Sequence, residues 1–284
     1  MTSGTYPPSR PSGARSSDDA ERHGIPAEIR QAQMSDLVEH EGFTRVTELA
    51  ERFGVSTVTV RSDLASLEAY GRLRRVRGGA VPNRLGAAEK PLELSAAEQA
   101  REKVAIGARA AQLVSPGDVV LLDVGSTTTA IAEALIARRD LHDVTVVTNA
   151  LNVALRLEAA ADRISVIVSG GTVRPLQHSL VNPYATLLLE QITAHIAFIG
   201  CNGVDAHGGI TNRNVAEAEI KRAMVRASRR AVVVADASKL GEVEVARVCP
   251  VTDIDLLVTD GSADADLVAE LGNAGLAVDL VGTT

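Results

Sequence analysis

The sequence predicts an α/β protein in two parts: a small three-helix head with a short β wing, then a large body built on a mostly parallel sheet. Three observations predict it. Between about residues 27 and 82, apolar residues recur at helical spacing in three short runs and then alternate in a short basic segment. From residue 98 onward, continuous apolar runs of strand length alternate with helical patterns, as in a sheet covered by helices on both faces. The length of 284 residues suits two domains, and 45% apolar residues suit a sizeable core.

Residues 1–26 carry Pro7, Pro8, Pro11 and Pro26 among many Ser and Gly, with no apolar period. That composition reads as a disordered tail. Pro26 then opens a helix with Ile29, Met34, Leu37 and Val38 as its apolar stripe, ending near Gly42. Thr47 is the expected cap of a second helix facing inward with Leu49, Ala50 and Phe53. Ala50 is small where two helices must approach, and Gly54 permits the turn between them. Ser56 is the expected cap of a third helix that buries Val60, Leu64 and Leu67 and ends near Gly71. This is a helix-turn-helix layout.

Such a unit reads DNA with the first residues of its last helix. The candidates there are Ser56, Thr57, Thr59, Arg61 and Ser62. Arginine can bond guanine bidentately, and hydroxyls can reach bases or phosphates. Residues 72–81, RLRRVRGGAV, then predict a hairpin pinned by Leu73, Val76 and Val81, with Gly78–Gly79 near its second strand. Arg72, Arg74, Arg75 and Arg77 project from it, placed to grip phosphates or the neighbouring minor groove. The net charge of −7 conceals a division. Residues 61–84 carry six arginines against Asp63 and Glu68, a net of +4, whereas residues 85–284 carry 17 basic and 25 acidic side chains, a net of −8.

Residues Val46 to Ala80 resemble the head of the DeoR family of bacterial transcription regulators. The resembling features are Val55–Ser56 at the start of the recognition helix, Thr59-Val60-Arg61-Ser62-Asp63-Leu64 within it, and Arg75-Val76-Arg77-Gly78-Gly79-Ala80 in the wing. Ser62 stands where the family usually has a second arginine, which removes one cationic contact. Asp63 is expected to orient Arg61 or to cap locally, since it would repel phosphate.

Residues 83–97 have weak periodicity, with Gly86 and Pro91, and read as a linker. The effector-binding domain then spans 98–284. Its expected strands are Val119–Asp123, Val144–Thr148, Ile164–Ser169, Ile196–Gly200, Ala231–Asp236, Ile254–Thr259 and Ala277–Leu280. Its expected helices are Gln99–Leu113, Thr128–Ala137, Leu151–Ala159, Ala185–Gln191, Ala216–Ser228 and Ala265–Leu271.

Ligands of open α/β sheets sit beyond the carboxyl ends of the strands. Five strand ends here are polar or glycine-rich. They are Asp123-Val124-Gly125-Ser126-Thr127-Thr128, Thr148-Asn149, Ser169-Gly170-Gly171-Thr172 with Arg174, Gly200-Cys201-Asn202-Gly203, and Asp236-Ala237-Ser238-Lys239. The first of them suits an anion, because a glycine turn leads into a helix whose free N–H groups and positive end point outward. Arg174 and Lys239 are expected to add positive charge, while Lys221 and Arg222 are expected to lie in solvent.

The body also resembles the DeoR family, whose effector domain is similar in fold to ribose-5-phosphate isomerase, a Rossmann-like α/β unit. The matching stretches run in order from Lys103-Val104-Ala105-Ile106 through Asp123–Thr127, Val147–Asn149, Gly170–Gly171, Phe198–Gly203 and Gly209–Thr211 to Asp236–Lys239. The resemblance implies that Asp123, Gly125, Ser126, Thr127, Asn149, Asn202 and Lys239 help to bind a phosphorylated sugar. Thr128, Gly170, Gly171 and Arg174 complete the candidate effector set.

Other classes fall away. Aromatic residues make up only 2% of the chain and Trp is absent, which argues against stacking single-stranded nucleic acid or bare sugars. Cys201 and Cys249 form neither a CxxC nor a metal pattern, so no cofactor or metal is expected. No secretory leader or spanning run is legible, and a cytoplasmic location is expected. The alternative is a sugar-phosphate isomerase-like enzyme, with Asp205, His207 and Glu217 as acid/base candidates. The family of isomerases places a Lys-Gly-Gly-Gly-Gly loop where this chain has Ala206-His207-Gly208-Gly209, with no lysine. The sequence therefore reads as a regulator, a repressor of carbohydrate genes. Its expected partners are a double-stranded DNA operator, a phosphorylated sugar and its own copies in a homodimer or homotetramer.

Overall fold

The computed structural model describes residues 26–69, 73–82 and 89–282. The expected tail up to Ile25, the end of the third helix near Gly71, Arg72, Arg84 and the first residues of the expected linker lie outside the described residues. The chain divides into two units, residues 1–83 and 84–284.

The head contains α1 (Ala27–Glu41), β1 (Thr44–Arg45), α2 (Val46–Phe53), α3 (Thr57–Ala69), β2 (Leu73–Val76) and β3 (Gly79–Pro82). Its core gathers Met34, Val38, Leu49, Val60, Leu64, Leu67, Leu73 and Ala80, each apolar residue arriving at helical or strand spacing. Two expectations need correction. Ile29 stands 52% exposed at the open first turn of α1 and does not join the stripe. Thr47 does not cap α2, because the helix already starts at Val46 and the Glu48 carboxylate accepts the Arg45 N–H at 2.9 Å. Ser56 does cap α3, its Oγ accepting the Thr59 N–H at 3.1 Å. Gly54 takes φ +63 in the turn between α2 and α3, a region open to glycine at little cost. The wing is a three-stranded antiparallel sheet in the order β1-β3-β2. The two-residue β1 is too short to show alternation in sequence.

The body contains α4 (Leu92–Ala97), α5 (Ala100–Ala111), β4 (Val119–Leu122), α6 (Ser126–Ala137), β5 (Val144–Thr148), α7 (Leu151–Leu157), β6 (Ile164–Val168), β7 (Thr172–Arg174), β8 (Ser179–Val181), α8 (Tyr184–Leu189), β9 (Ile196–Gly200), β10 (Gly203–Asp205), β11 (Gly209–Asn212), α9 (Val215–Arg226), β12 (Ala231–Val234), β13 (Ala246–Cys249), β14 (Leu256–Asp260), α10 (Ala265–Asn273) and β15 (Val278–Val281). A seven-stranded sheet runs β15-β14-β12-β9-β4-β5-β6, and its adjacent strands are all parallel. Alternation along the strands sorts the core into two faces. Val120, Leu122, Phe198, Val232 and Val234 pack with α5, α6 and α7. Leu121, Ala197, Ile199 and Val233 pack with α8, α9 and α10. The body is therefore Rossmann-like, with strands buried on both sides as their unbroken apolar runs demand.

Residues 92–97 form a helix where a linker was expected. Pro91 precedes it, and its φ of −50 suits the entry to a helix. The hairpin β7–β8 and the sheet β10-β11-β13 are additional. Their strands of three or four residues are too short for a period to register.

Candidate functional site

The head presents one face of α3. Asp63 does not orient Arg61. Burial takes its carboxylate to the inner side, where Arg30 Nε donates to it at 2.7 Å and Gln31 Nε2 at 2.8 Å. That pair fixes α1 against α3. Val60, Leu64 and Leu67 are buried, so Thr57, Val58, Arg61 and Ser62 are turned outward and exposed. Ser56 and Thr59 are engaged with each other, their hydroxyls 2.9 Å apart. Val58, 72% exposed, is the residue the sequence reading missed on this face. Its signal was available, since it lies one position after Thr57 and three before Arg61.

In the wing, Arg74, Arg75 and Arg77 are exposed. Arg75 donates Nε to Glu68 at 2.7 Å, and its N–H donates to the same carboxylate at 2.8 Å. Those bonds hold the Glu68 carboxyl below its usual pKa. Arg74 and Arg77 have no such carboxylate among the described residues. Gly78 takes φ +87 at the turn, and a Cβ on Gly79 would lie 2.3 Å from the Thr44 carbonyl oxygen. Both glycines are thereby required for backbone reasons.

The second site lies in the body, where strand order reverses. β5 and β6 follow β4 to one side, while β9, β12, β14 and β15 lie on the other. The crevice beyond β4 and β9 is the switch point at which such sheets accept ligands. A cavity of about 140 Å³ opens there. The loop after β4 lines it with Val124 to Thr128, the loop after β9 with Gly200 to Asn202, and the loop after β12 with Val234 to Asp236 and Lys239. Gly125, at φ +145, turns the chain from β4 into α6. No side chain caps α6. The Thr128 and Thr129 hydroxyls donate back to the Gly125 carbonyl at 3.0 and 2.7 Å. The first-turn N–H groups and the Ser126 hydroxyl are left for a ligand.

Two lysines frame this helix start. Lys103 is buried and donates Nζ to the carbonyls of Ser95 and Glu98 at 2.6 Å each, with Asp236 at 3.8 Å. Burial lowers its pKa, against the attraction of Asp236. Lys239 is half-buried on a 3-10 turn and forms no ion pair among the described residues. Asn202, Asn212, Arg213, Glu217 and Lys221 also line the cavity.

Residues 98–261 match the DeoR C terminal sensor domain, and residues 30–84 match the DeoR-like helix-turn-helix domain. The chain belongs to the DeoR family. Among its DeoR relatives, the HTH-type transcriptional regulator GlpR of Haloferax volcanii is 34% identical over 256 residues, covering 89% of this chain and 97% of that one. The putative aga operon transcriptional repressor of Escherichia coli O157:H7 is 32% identical over 255 residues, covering 89% and 93%. Among solved structures, the ribose 5-phosphate isomerase of Plasmodium falciparum aligns at 13% identity over 48% of this chain and 51% of its own, with a TM-score of 0.36. This DeoR protein is a DNA-binding transcriptional regulator and not an enzyme.

Six of the candidate effector residues of this DeoR body meet in the cavity: Gly125, Ser126, Thr127, Thr128, Asn202 and Lys239. Five others do not line it. Asp123 is wholly buried; its Oδ2 accepts from Lys221 and from the Gly200 N–H at 3.1 Å, and its Oδ1 has no donor among the described residues. Asn149 is buried against β8 and donates Nδ2 to the Leu180 carbonyl at 3.3 Å. Gly170 and Gly171 serve the β7–β8 hairpin. At Gly171 a Cβ would lie 2.0 Å from the Val181 carbonyl oxygen. Arg174 does not offer free positive charge, because Glu89 and Glu217 both bind it. Burial opposes its charge, but these carboxylates outweigh burial and raise its pKa.

Lys221 reverses the expectation of a solvated lysine. It is buried, faces the cavity and pairs with Asp123. Burial works against its ammonium, and the carboxylates of Asp123 and Glu217 raise its pKa above the usual value. Arg222 is also engaged, donating to the carbonyls of Val248 and Arg247 at 3.2 and 2.6 Å. The lysines missed in the sequence had a signal in their spacing. Lys103 and Lys221 fall on the buried faces of amphipathic helices, where a cation needs a counter-charge or carbonyls to remain. Of the isomerase candidates, Asp205 accepts the N–H groups of His207 and Gly208, which makes it a turn residue. Glu217 holds Ser179 and Arg174.

Proposed function

We propose that this regulator represses carbohydrate genes and is controlled by a phosphorylated sugar held in the switch-point cavity. The observation that carries the reading is the convergence of the uncapped α6 start with Lys103 and the unpaired Lys239. A dianionic phosphate satisfies both cations and the free N–H groups together. Asn202 and Asn212, which also line the cavity, suit sugar hydroxyls. Thr57, Arg61 and Ser62 approach base edges, and Val58 offers apolar contact to a thymine methyl. Arg74, Arg75 and Arg77 meet phosphates. Two or four copies hold paired heads at the spacing of a repeated operator, in the cytoplasm where that DNA lies. The sugar phosphate acts by binding better to one arrangement of heads.

The test is thermal unfolding against matched panels of phosphorylated and free sugars, since a ligand stabilises what it binds. Stabilisation by a phosphorylated member and not by its free sugar is the expected result. Equal responses to both would defeat the phosphate assignment. With the responding compound, Lys239→Ala is expected to abolish the effector response and leave operator binding intact. A fully inducible variant would exclude Lys239 from the site.

A further inference from the structure

The segment that leads out of the head is itself a wall of the effector cavity. Glu89, Lys90, Leu92, Ser95 and Glu98 all line it. This strap is fastened by side chains and hardly by a core of its own, since Leu92 is the only buried residue of α4. Glu89 is bound by Arg174. The Lys90 carbonyl accepts Gln177 Nε2 at 2.6 Å, and Lys90 Nζ reaches Glu98 at 2.5 Å. Glu93 meets His178 at 2.7 Å. A further fastening is Lys103, whose single ammonium spans the Ser95 and Glu98 carbonyls.

Lys103 also faces the cavity beside the α6 start. An ammonium has three donors, and here two are spent on the strap. Burial lowers the pKa of Lys103, Asp236 works against that, and Lys239 lies close enough to lower it further. Asp236, at 3.8 Å, is too far to accept a hydrogen bond from Lys103, so an anion drawn between the two lysines adds counter-charge and competes with the strap carbonyls for the same protons. A charge-assisted bond to phosphate is stronger than one to a neutral carbonyl.

We propose that residues 89–98 are a latch held by Lys103, and that an anion in the cavity releases it by taking that lysine. The proposal rests on the reading of the cavity as an anion site. Residues 83–88 join the strap to β3, so release lengthens the tether of the DNA-binding head. Ten further residues add at most roughly 30 Å at full extension. The head then samples placements that the latched tether forbids, which lowers the fraction suited to a paired operator.

Hydrogen exchange on the full chain tests this, with inorganic phosphate as probe and the sugar phosphates of the panel beside it. Protection of the amides at 126–129 reports anion binding. Faster exchange at 92–98 reports release, and a several-fold rise on adding the probe is expected. Protection at 126–129 with unchanged or slower exchange at 92–98 overturns the latch and leaves the anion site standing. No response at 126–129 to any probe defeats the anion site and the latch with it. His178→Ala supplies a second measure, because it frees Glu93 of the strap while neither residue lines the cavity or touches Lys103. Strap and anion compete, so this variant is expected to bind phosphate several-fold more tightly. Weaker or unchanged binding would mean that the strap is merely a wall.

Discussion

Arg61 owes its freedom to its neighbour. Asp63 turns inward to Arg30 and Gln31, so the Arg61 guanidinium is not neutralised by the carboxylate two positions away. Arg61→Ala is expected to cost roughly 1–3 kcal/mol of operator affinity and to relax preference at one base. Selection of binding sites from random DNA reads this directly, and an unchanged consensus would remove Arg61 from base reading. The wing arginines differ among themselves. Among the described residues Arg74 and Arg77 have no carboxylate partner, whereas Arg75 is paired with Glu68. Arg74→Ala is expected to lower the slope of log affinity against log salt by about 1, and Arg75→Ala by less. Glu68→Gln should steepen the slope by freeing Arg75. Equal slopes for Arg74→Ala and Arg75→Ala, with a wild-type slope for Glu68→Gln, would show that the Glu68 pair gives way entirely on DNA.

At the scale of elements, much was legible because each depends on its own residues. Val144–Thr148 and Ile196–Gly200 are strands in the sequence and in the structure, and α3 is capped by Ser56 as its spacing requires. The three strand ends that line the cavity were readable as polar turns. Which ends meet was not readable. Asn149 and Gly171 follow β5 and β6, and these strands lie on the outer side of β4, a matter of strand order that no local residue encodes. Arg174 was misread for a related reason, since Glu89 lies 85 positions away in sequence. The glycines show the same contrast. Gly79 closes on the Thr44 carbonyl of β1, a strand too short to see in sequence. Gly79→Ala is expected to splay β1 from β3, destabilising the head and weakening DNA binding while leaving the body intact. Circular dichroism melts with operator titration would show this, and wild-type DNA affinity would mean that the wing tolerates the displacement.

At the scale of the molecule, charge and ligand are apportioned between two units. The acidic body carries a net of −8 over residues 85–284, and the basic stretch of 61–84 carries +4. A ligand of the cavity touches only residues of the body. A phosphorylated sugar at a hundred times its Kd contributes about 2.7 kcal/mol, which raises the melting temperature of a 200-residue unit by roughly 5–10 °C. Calorimetry of the full chain is expected to show that shift in the transition of the body and none in that of the head. Equal shifts in both would mean that the units unfold together.

The position of β4 in its sheet has a consequence for synthesis. Its flanking strands are β5, which follows closely, and β9, whose Ile196 pairs with Val120. The sheet cannot assemble its middle until that distant strand has left the ribosome, and such non-local pairing is intrinsically slow. The core of the head is drawn from residues 34–80 alone, and the head is made first. At about 5–20 residues per second, roughly 8–30 seconds separate the completion of the wing from the emergence of Lys239. A nascent chain therefore passes through an interval in which its DNA-reading helix is formed and the cavity that would govern it does not yet exist.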